Sequence, residues 1–111
     1  MDFQMIRALA VLALLLSTAC SAAEVPEFEL VIKDHRFTPA ELTVPAGQKL
    51  QLVVKNQDAT PEEFESHELS REKVIAGNSQ AVIKLGPLKP GEYSFVGEFN
   101  EATAKGRLIV K

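Results

Sequence analysis

Glu63, Glu65 and His67 stand at two-residue intervals in the stretch EFESHEL, and Glu98 is the centre of a second acidic motif, GEF, at Gly97 to Phe99. On an extended strand, residues two apart share a face and lie about 7 Å apart along the chain, so the carboxylates of Glu63 and Glu65 can close on a single ion. Carboxylate oxygen is a hard donor suited to Fe(III), Mn(II) or Ca(II), and a neighbouring imidazole widens the range to Fe(II), Cu(II) or Zn(II). His67 shares the face of Glu63 and Glu65 and is the candidate nitrogen donor; His35, in a loop, is another. The same residues also fit an ordinary solvated face of an acidic chain. Ser66 beside His67 makes no catalytic dyad, because adjacent strand residues point to opposite sides. With no nucleophile, base and oxyanion set in sight, the chain is not expected to be an enzyme.

Sulfur chemistry is confined to the first residues. The single Cys and the two Met residues are Cys20, Met1 and Met5. All three fall in a segment with the order of an export signal: basic Arg7, the apolar run ALAVLALLL from Ala8 to Leu16, then the small residues of STACSAA. The apolar run is too short to span a bilayer. Cleavage after Ala23 leaves residues 24–111 as one periplasmic or secreted domain without a thiolate, a thioether or a disulfide. A lipid anchor at Cys20 is the less favoured alternative, because Ser17 stands where such signals usually carry Leu. The whole chain has 12 Lys plus Arg against 15 Asp plus Glu, a net charge of −3. Removing one Arg and one Asp with the signal leaves that charge unchanged, so no basic stripe is available for nucleic acid or an anionic membrane, and a cationic partner is favoured. A domain this small buries only about 60 to 65% of its unfolded surface. Its stability is expected to be modest unless a ligand contributes.

The elements that would position these residues are strands. Alternation dominates, cut by Pro and Gly into runs of similar length: Phe28 to Lys33, Glu41 to Val44, Lys49 to Lys55, Ala81 to Leu85, Glu92 to Gly97 and Arg107 to Lys111. His35 to Ala40 reads as a turn, as do Pro45-Ala46-Gly47 and Pro87 to Gly91. Leu50, Leu52 and Val54 share one face of their run. The spacing predicts an all-β antiparallel sandwich or barrel. Thr60 to Gly77 is ambiguous. Thr60, Pro61 and Glu63 make a helix start and Gly77 a stop, but Phe64, Leu69, Val74 and Ile75 form no single helical stripe. As a strand, Glu63 to Leu69 alternates with Phe64 as its core anchor. Glu68, Arg71, Glu72 and Lys73 read as a solvated charged edge.

Four blocks together resemble a known family: FTPAELTVPAG at Phe37 to Gly47, EFESHELSREKVI at Glu63 to Ile75, LKPGEYSF at Leu88 to Phe95, and GEF followed by AKGRLIV between Gly97 and Val110. The chain is similar to the EfeO-type, Ftr-associated cupredoxin-like domains, exported proteins or modules encoded with bacterial high-affinity iron permeases. The resemblance implies a Greek-key sandwich of seven to eight strands over residues 24–111 and favours strand over helix in Thr60 to Gly77. It also implies that Gly97 stands at the Cys position of a type 1 copper site, Phe99 or Asn100 near the His position and Ala104 near the Met position. Such a site needs a thiolate, so blue-copper electron transfer is not expected. The metal ligands implied instead are Glu63, Glu65 and Glu98 on the outside of the sandwich, joined by His67 or His35. The cofactor implied is iron, with Cu(II) as the alternative, and the implied partner is an iron permease. Asn100, where relatives often carry His, takes one donor away. The rival expectation is a metal-free interaction module of a transport complex.

Overall fold

The structure, a computed structural model, describes residues 24–111; the expected export signal over residues 1–23, with Cys20, lies outside the described residues. Nine strands form: β1 (Glu27–Lys33), β2 (Arg36–Thr38), β3 (Glu41–Val44), β4 (Leu50–Asn56), β5 (Glu62–Ser66), β6 (Arg71–Ile75), β7 (Ser79–Leu85), β8 (Gly91–Gly97) and β9 (Lys105–Val110), with one 3₁₀ turn, η1 (Glu98–Asn100), after β8. They pair as two sheets, β2-β1-β4-β7 and β3-β9-β8-β5-β6. Among the described residues no helix is long and apolar enough to cross a membrane.

The all-β sandwich matches expectation, and three details correct it. The strands among the described residues number nine, not seven or eight, because β2 lies inside the expected His35 to Ala40 turn and the Thr60 to Gly77 stretch holds the two strands of a hairpin. The sheets are mixed, since β1 pairs β4 and β3 pairs β9 in parallel while the remaining pairs are antiparallel. Gly77 is not a helix stop: a Cβ there would lie 2.0 Å from the Ala59 carbonyl oxygen, so the close approach of two chain segments requires glycine.

The core lies between the sheets and follows the alternation. Leu50, Leu52 and Val54 of β4 are buried, as are Leu30 and Ile32 of β1 and Leu108 and Val110 of β9. Three rings close one end. Phe37 meets Phe95 edge-on at 4.9 Å, and Phe64 stacks on Phe95 at 5.1 Å. Phe64, in the middle of β5, is therefore the residue that fixes which face of that strand points inward.

Buried Asn56 at the end of β4 ties this region together. Its Nδ2 donates to the carbonyls of Thr60 (2.9 Å), Ile75 (3.2 Å) and Ala76 (3.3 Å), and its Oδ1 accepts the Asp58 amide. One side chain thus fastens the entry of β5 to the exit of β6. Asn56→Ala leaves buried carbonyls without a donor, and a loss of about 1–3 kcal/mol is expected from urea melts.

Candidate metal site

β5 begins with Glu62 and alternates from there. Glu62, Phe64 and Ser66 are buried, while Glu63 and Glu65 are half-buried on the outer face. A four-residue turn, His67 to Ser70, reverses the chain. It pairs Ser66 with Arg71 and Glu65 with Glu72, so Glu72 lands on the face of Glu63 and Glu65. On the other side of β5 the β8 ladder supplies only two pairs, Phe64 with Gly97 and Glu65 with Val96. The chain then turns into η1, which carries Glu98.

The result is a convergence of four carboxylates. Glu63, Glu65, Glu72 and Glu98 each offer an oxygen, and these oxygens all lie within 4.8 Å of one another. The structure brings together the three carboxylates expected from the sequence and adds Glu72. The sequence alone places that residue on a solvated charged edge; a tight hairpin closing after Ser66 is the signal that brings it to this face. A depression of about 260 Å³, lined by Glu65, Ser66, His67, Ser70, Arg71 and Glu72, adjoins the cluster. Arg71 does not neutralise it. Its guanidinium donates to the main-chain carbonyls of Leu69, Ser70 and Lys84. Among the described residues no Lys or Arg forms an ion pair with any of the four carboxylates.

The two histidines sit differently. His67 lies in the turn, not on the strand, with a side chain 95% exposed and its Nε2 3.4 Å from Oε1 of Glu65. It borders the cluster from the turn. His35 is elsewhere: with Asp34 it forms the two-residue turn between β1 and β2, both residues at positive φ. The Asp58 carboxylate accepts the amides of Asp34 (2.8 Å) and His35 (3.0 Å), and Nδ1 of His35 lies 3.5 Å from the same carboxylate. His35 is a turn residue held by Asp58 and is not part of the carboxylate group. Glu68, also expected at a solvated edge, instead accepts the amide and hydroxyl of Ser94. Ser66 is buried and donates to the Ser94 carbonyl, so it has no nucleophilic role beside His67.

Crowding carboxylates has an electrostatic signature. The hydrogen bond that protonated Glu63 donates to Glu98 lifts the Glu63 pKa from 4.5 to about 7, with partial burial and the charges of Glu98, Glu72 and Glu65 adding to the effect. Glu65 is raised for the same first reason, offset in part by His67. Glu98, the acceptor of both bonds, is lowered. Because folding raises the Glu63 and Glu65 values, the folded cation-free protein binds more protons than the unfolded chain between about pH 4.5 and 7, so stability falls as pH rises through that window. The Glu98 contribution runs the other way and is lost only below about pH 4.5. The melting temperature of the cation-free domain is therefore expected to drop between pH 5 and 8, and Glu98→Gln to flatten that slope.

The remaining carboxylate was missed. Glu62 is 2% exposed. Its Oε1 accepts the amides of Glu63 (3.0 Å) and Phe99 (2.8 Å), and its Oε2 accepts Nδ2 of Asn100 at 2.7 Å. Asn100 thus faces this buried carboxylate. A Cβ on Gly97 would lie 2.6 Å from the Glu62 carboxyl carbon and 2.7 Å from Cβ of Ala104. A type 1 copper ion does not fit here. The position implied for its thiolate has no room for a side chain, and residues 24–111 contain no sulfur.

The profile of the Cupredoxin-like domain family matches residues 6–110. A relative in Rickettsia prowazekii (strain Madrid E), "Uncharacterized protein RP394", is 46% identical over 84 residues, which is 76% of this chain and 67% of that protein. Among solved structures, the metal binding domain of the Streptococcus pneumoniae D39 Cu(I) exporting P-type ATPase CopA, with Cu(I), superposes with a TM-score of 0.67 at 16% identity, covering 82% of this chain and 91% of that one. Auracyanin A, a "blue" copper protein of Chloroflexus aurantiacus, gives 0.65 at 18% identity over 79% of this chain and 100% of its own. At these identities the structural likeness concerns the fold alone.

Proposed function

Because the chain belongs to the cupredoxin-like domain family, we propose that it is a metal-binding member whose site has moved from sulfur ligands inside the sandwich to carboxylates on its outer face. The observation that carries this reading is the convergence of Glu63, Glu65, Glu72 and Glu98 within 4.8 Å, with no Lys or Arg paired to them among the described residues. Like charges facing each other across a sheet are destabilising, and a cation removes that penalty. All-oxygen ligation selects hard ions, and the His67 imidazole at the rim extends the choice to Fe(II) and Cu(II). Iron is the cargo most consistent with the ligand chemistry and with the EfeO-type motifs EFESHEL and GEF. In this reading the export signal delivers the domain to the periplasm, where it binds the ion and passes it to an iron permease, carrying metal and not turning over a substrate.

The test is calorimetric titration of residues 24–111 with Fe(II) under anaerobic conditions, Fe(III) held soluble by a weak chelator, Cu(II) and Mn(II). Saturable binding, tightest for iron, is expected. Tighter binding of Cu(II) would reassign the ion, and no binding of any of the four would leave a metal-free interaction module.

A further inference from the structure

We propose that Glu62 is the positioning residue of the carboxylate site, an internal strut that sets the distance between Glu98 and the β5 carboxylates; the inference rests on the reading just given. Extending the β5–β8 register by two residues would set Glu63 opposite Glu98 and Glu62 opposite Phe99. The ladder does not extend, because the chain turns into η1 after Gly97. The Phe99 amide is taken by Oε1 of Glu62, and the same oxygen accepts the Glu63 amide. The main-chain amides of one cation ligand and of the residue after another therefore meet on a single buried atom.

The second oxygen completes the strut by holding the Asn100 side chain, so both of the η1 residues that follow Glu98 are tied to β5. Gly97 leaves the space the carboxylate fills. η1 has no side-chain cap of its own; its other main-chain hydrogen bonds are those of Gly97 and Asn100 to the Thr103–Ala104 segment, which do not touch β5. Glu62 itself points inward and lies outside the group of four. Its effect on a cation is exerted through geometry.

That distinction gives the test. Three variants, Glu62→Leu, Glu62→Gln and Asn100→Ala, are titrated with Mn(II) beside the wild type, and each is melted without metal. Gln keeps an acceptor for both amides and can bond Asn100 with that amide rotated, so E62Q is expected to bind close to wild type. E62L removes every acceptor and is expected to weaken binding at least tenfold, the usual effect of deleting a partner that orients a metal ligand, about 10–100-fold. N100A, which leaves the core filled, falls between them. E62L binding as tightly as wild type would overturn the proposal. So would E62Q losing as much as E62L, which would make Glu62 a ligand or a charge and not a strut. Proton NMR of the metal-free proteins reads the same strut if the wild type binds nothing: slow exchange of the Phe99 amide and contact between the Glu63 and Glu98 side chains are expected in wild type and E62Q and lost in E62L. Absence of those signals in the wild type overturns the strut, whereas their presence without Mn(II) binding overturns only the metal-binding function.

Discussion

Replacing both Glu65 and Glu98 by Gln is expected to abolish cation-dependent stabilisation while leaving the fold intact. A ligand that binds only the folded state at about 100 times its dissociation constant adds about 2.7 kcal/mol. For a domain of this size that is a rise in melting temperature of roughly 10–20 °C. The double substitution removes one ligand from β5 and the one on η1, so neither side of the cluster can hold an ion alone. Glutamine keeps the shape and removes the charge, and with the charge goes the mutual repulsion. The variant without metal is expected to melt at or above the temperature of the cation-free wild type above pH 7, where the native carboxylates are ionised. Thermal melts of both proteins with and without Fe(II) or Mn(II) check this. An equal rise in both would place the ion elsewhere.

The second large effect is structural. Phe64 is fully buried, stacked on Phe95 and edge-on to Phe37 at 6.2 Å. Phe64→Ala is expected to cost about 3–5 kcal/mol, a large share of the 5–15 kcal/mol typical of a whole domain. Its place in the chain makes the consequence local as well as global. Phe64 lies between Glu63 and Glu65, and its ring holds their side chains on the outer face. Urea denaturation should show the midpoint falling steeply, and the surviving folded fraction should bind cation more weakly than wild type. An unfolding free energy within about 1 kcal/mol of wild type would mean that the aromatic cluster does not anchor β5.

The readable parts of this sequence were those where burial is one-sided. Leu50, Leu52 and Val54 alternate with polar neighbours, and β4 falls within one residue of its expected span. Glu63 and Glu65 flank an obvious core residue, so their shared outer face was legible. β6 was not, because four of its five residues, Arg71 to Val74, are exposed and an edge strand open to solvent leaves no alternation. Glu72 was lost with it. β2 is three residues long and disappears inside turn chemistry. The parallel pairing of β1 with β4 and of β3 with β9 has no counterpart in the alternation pattern, which carries face but not direction. Glu62 was invisible for a different reason. A glutamate is expected at the surface, and what buries this one is the missing Cβ of Gly97 and the donors on Phe99 and Asn100, some 35 to 38 positions away.

The central claim is that the ion sits between β5, β6 and η1. Paramagnetic broadening of the NMR spectrum of residues 24–111 by substoichiometric Mn(II) tests it most directly, because the effect falls off steeply with distance from the ion. The account requires broadening centred on Glu63, Glu65, Glu72 and Glu98, reaching His67 and weaker at His35 and Asp58. Broadening centred on the His35–Asp58 turn, or spread evenly over the acidic surface, would contradict it.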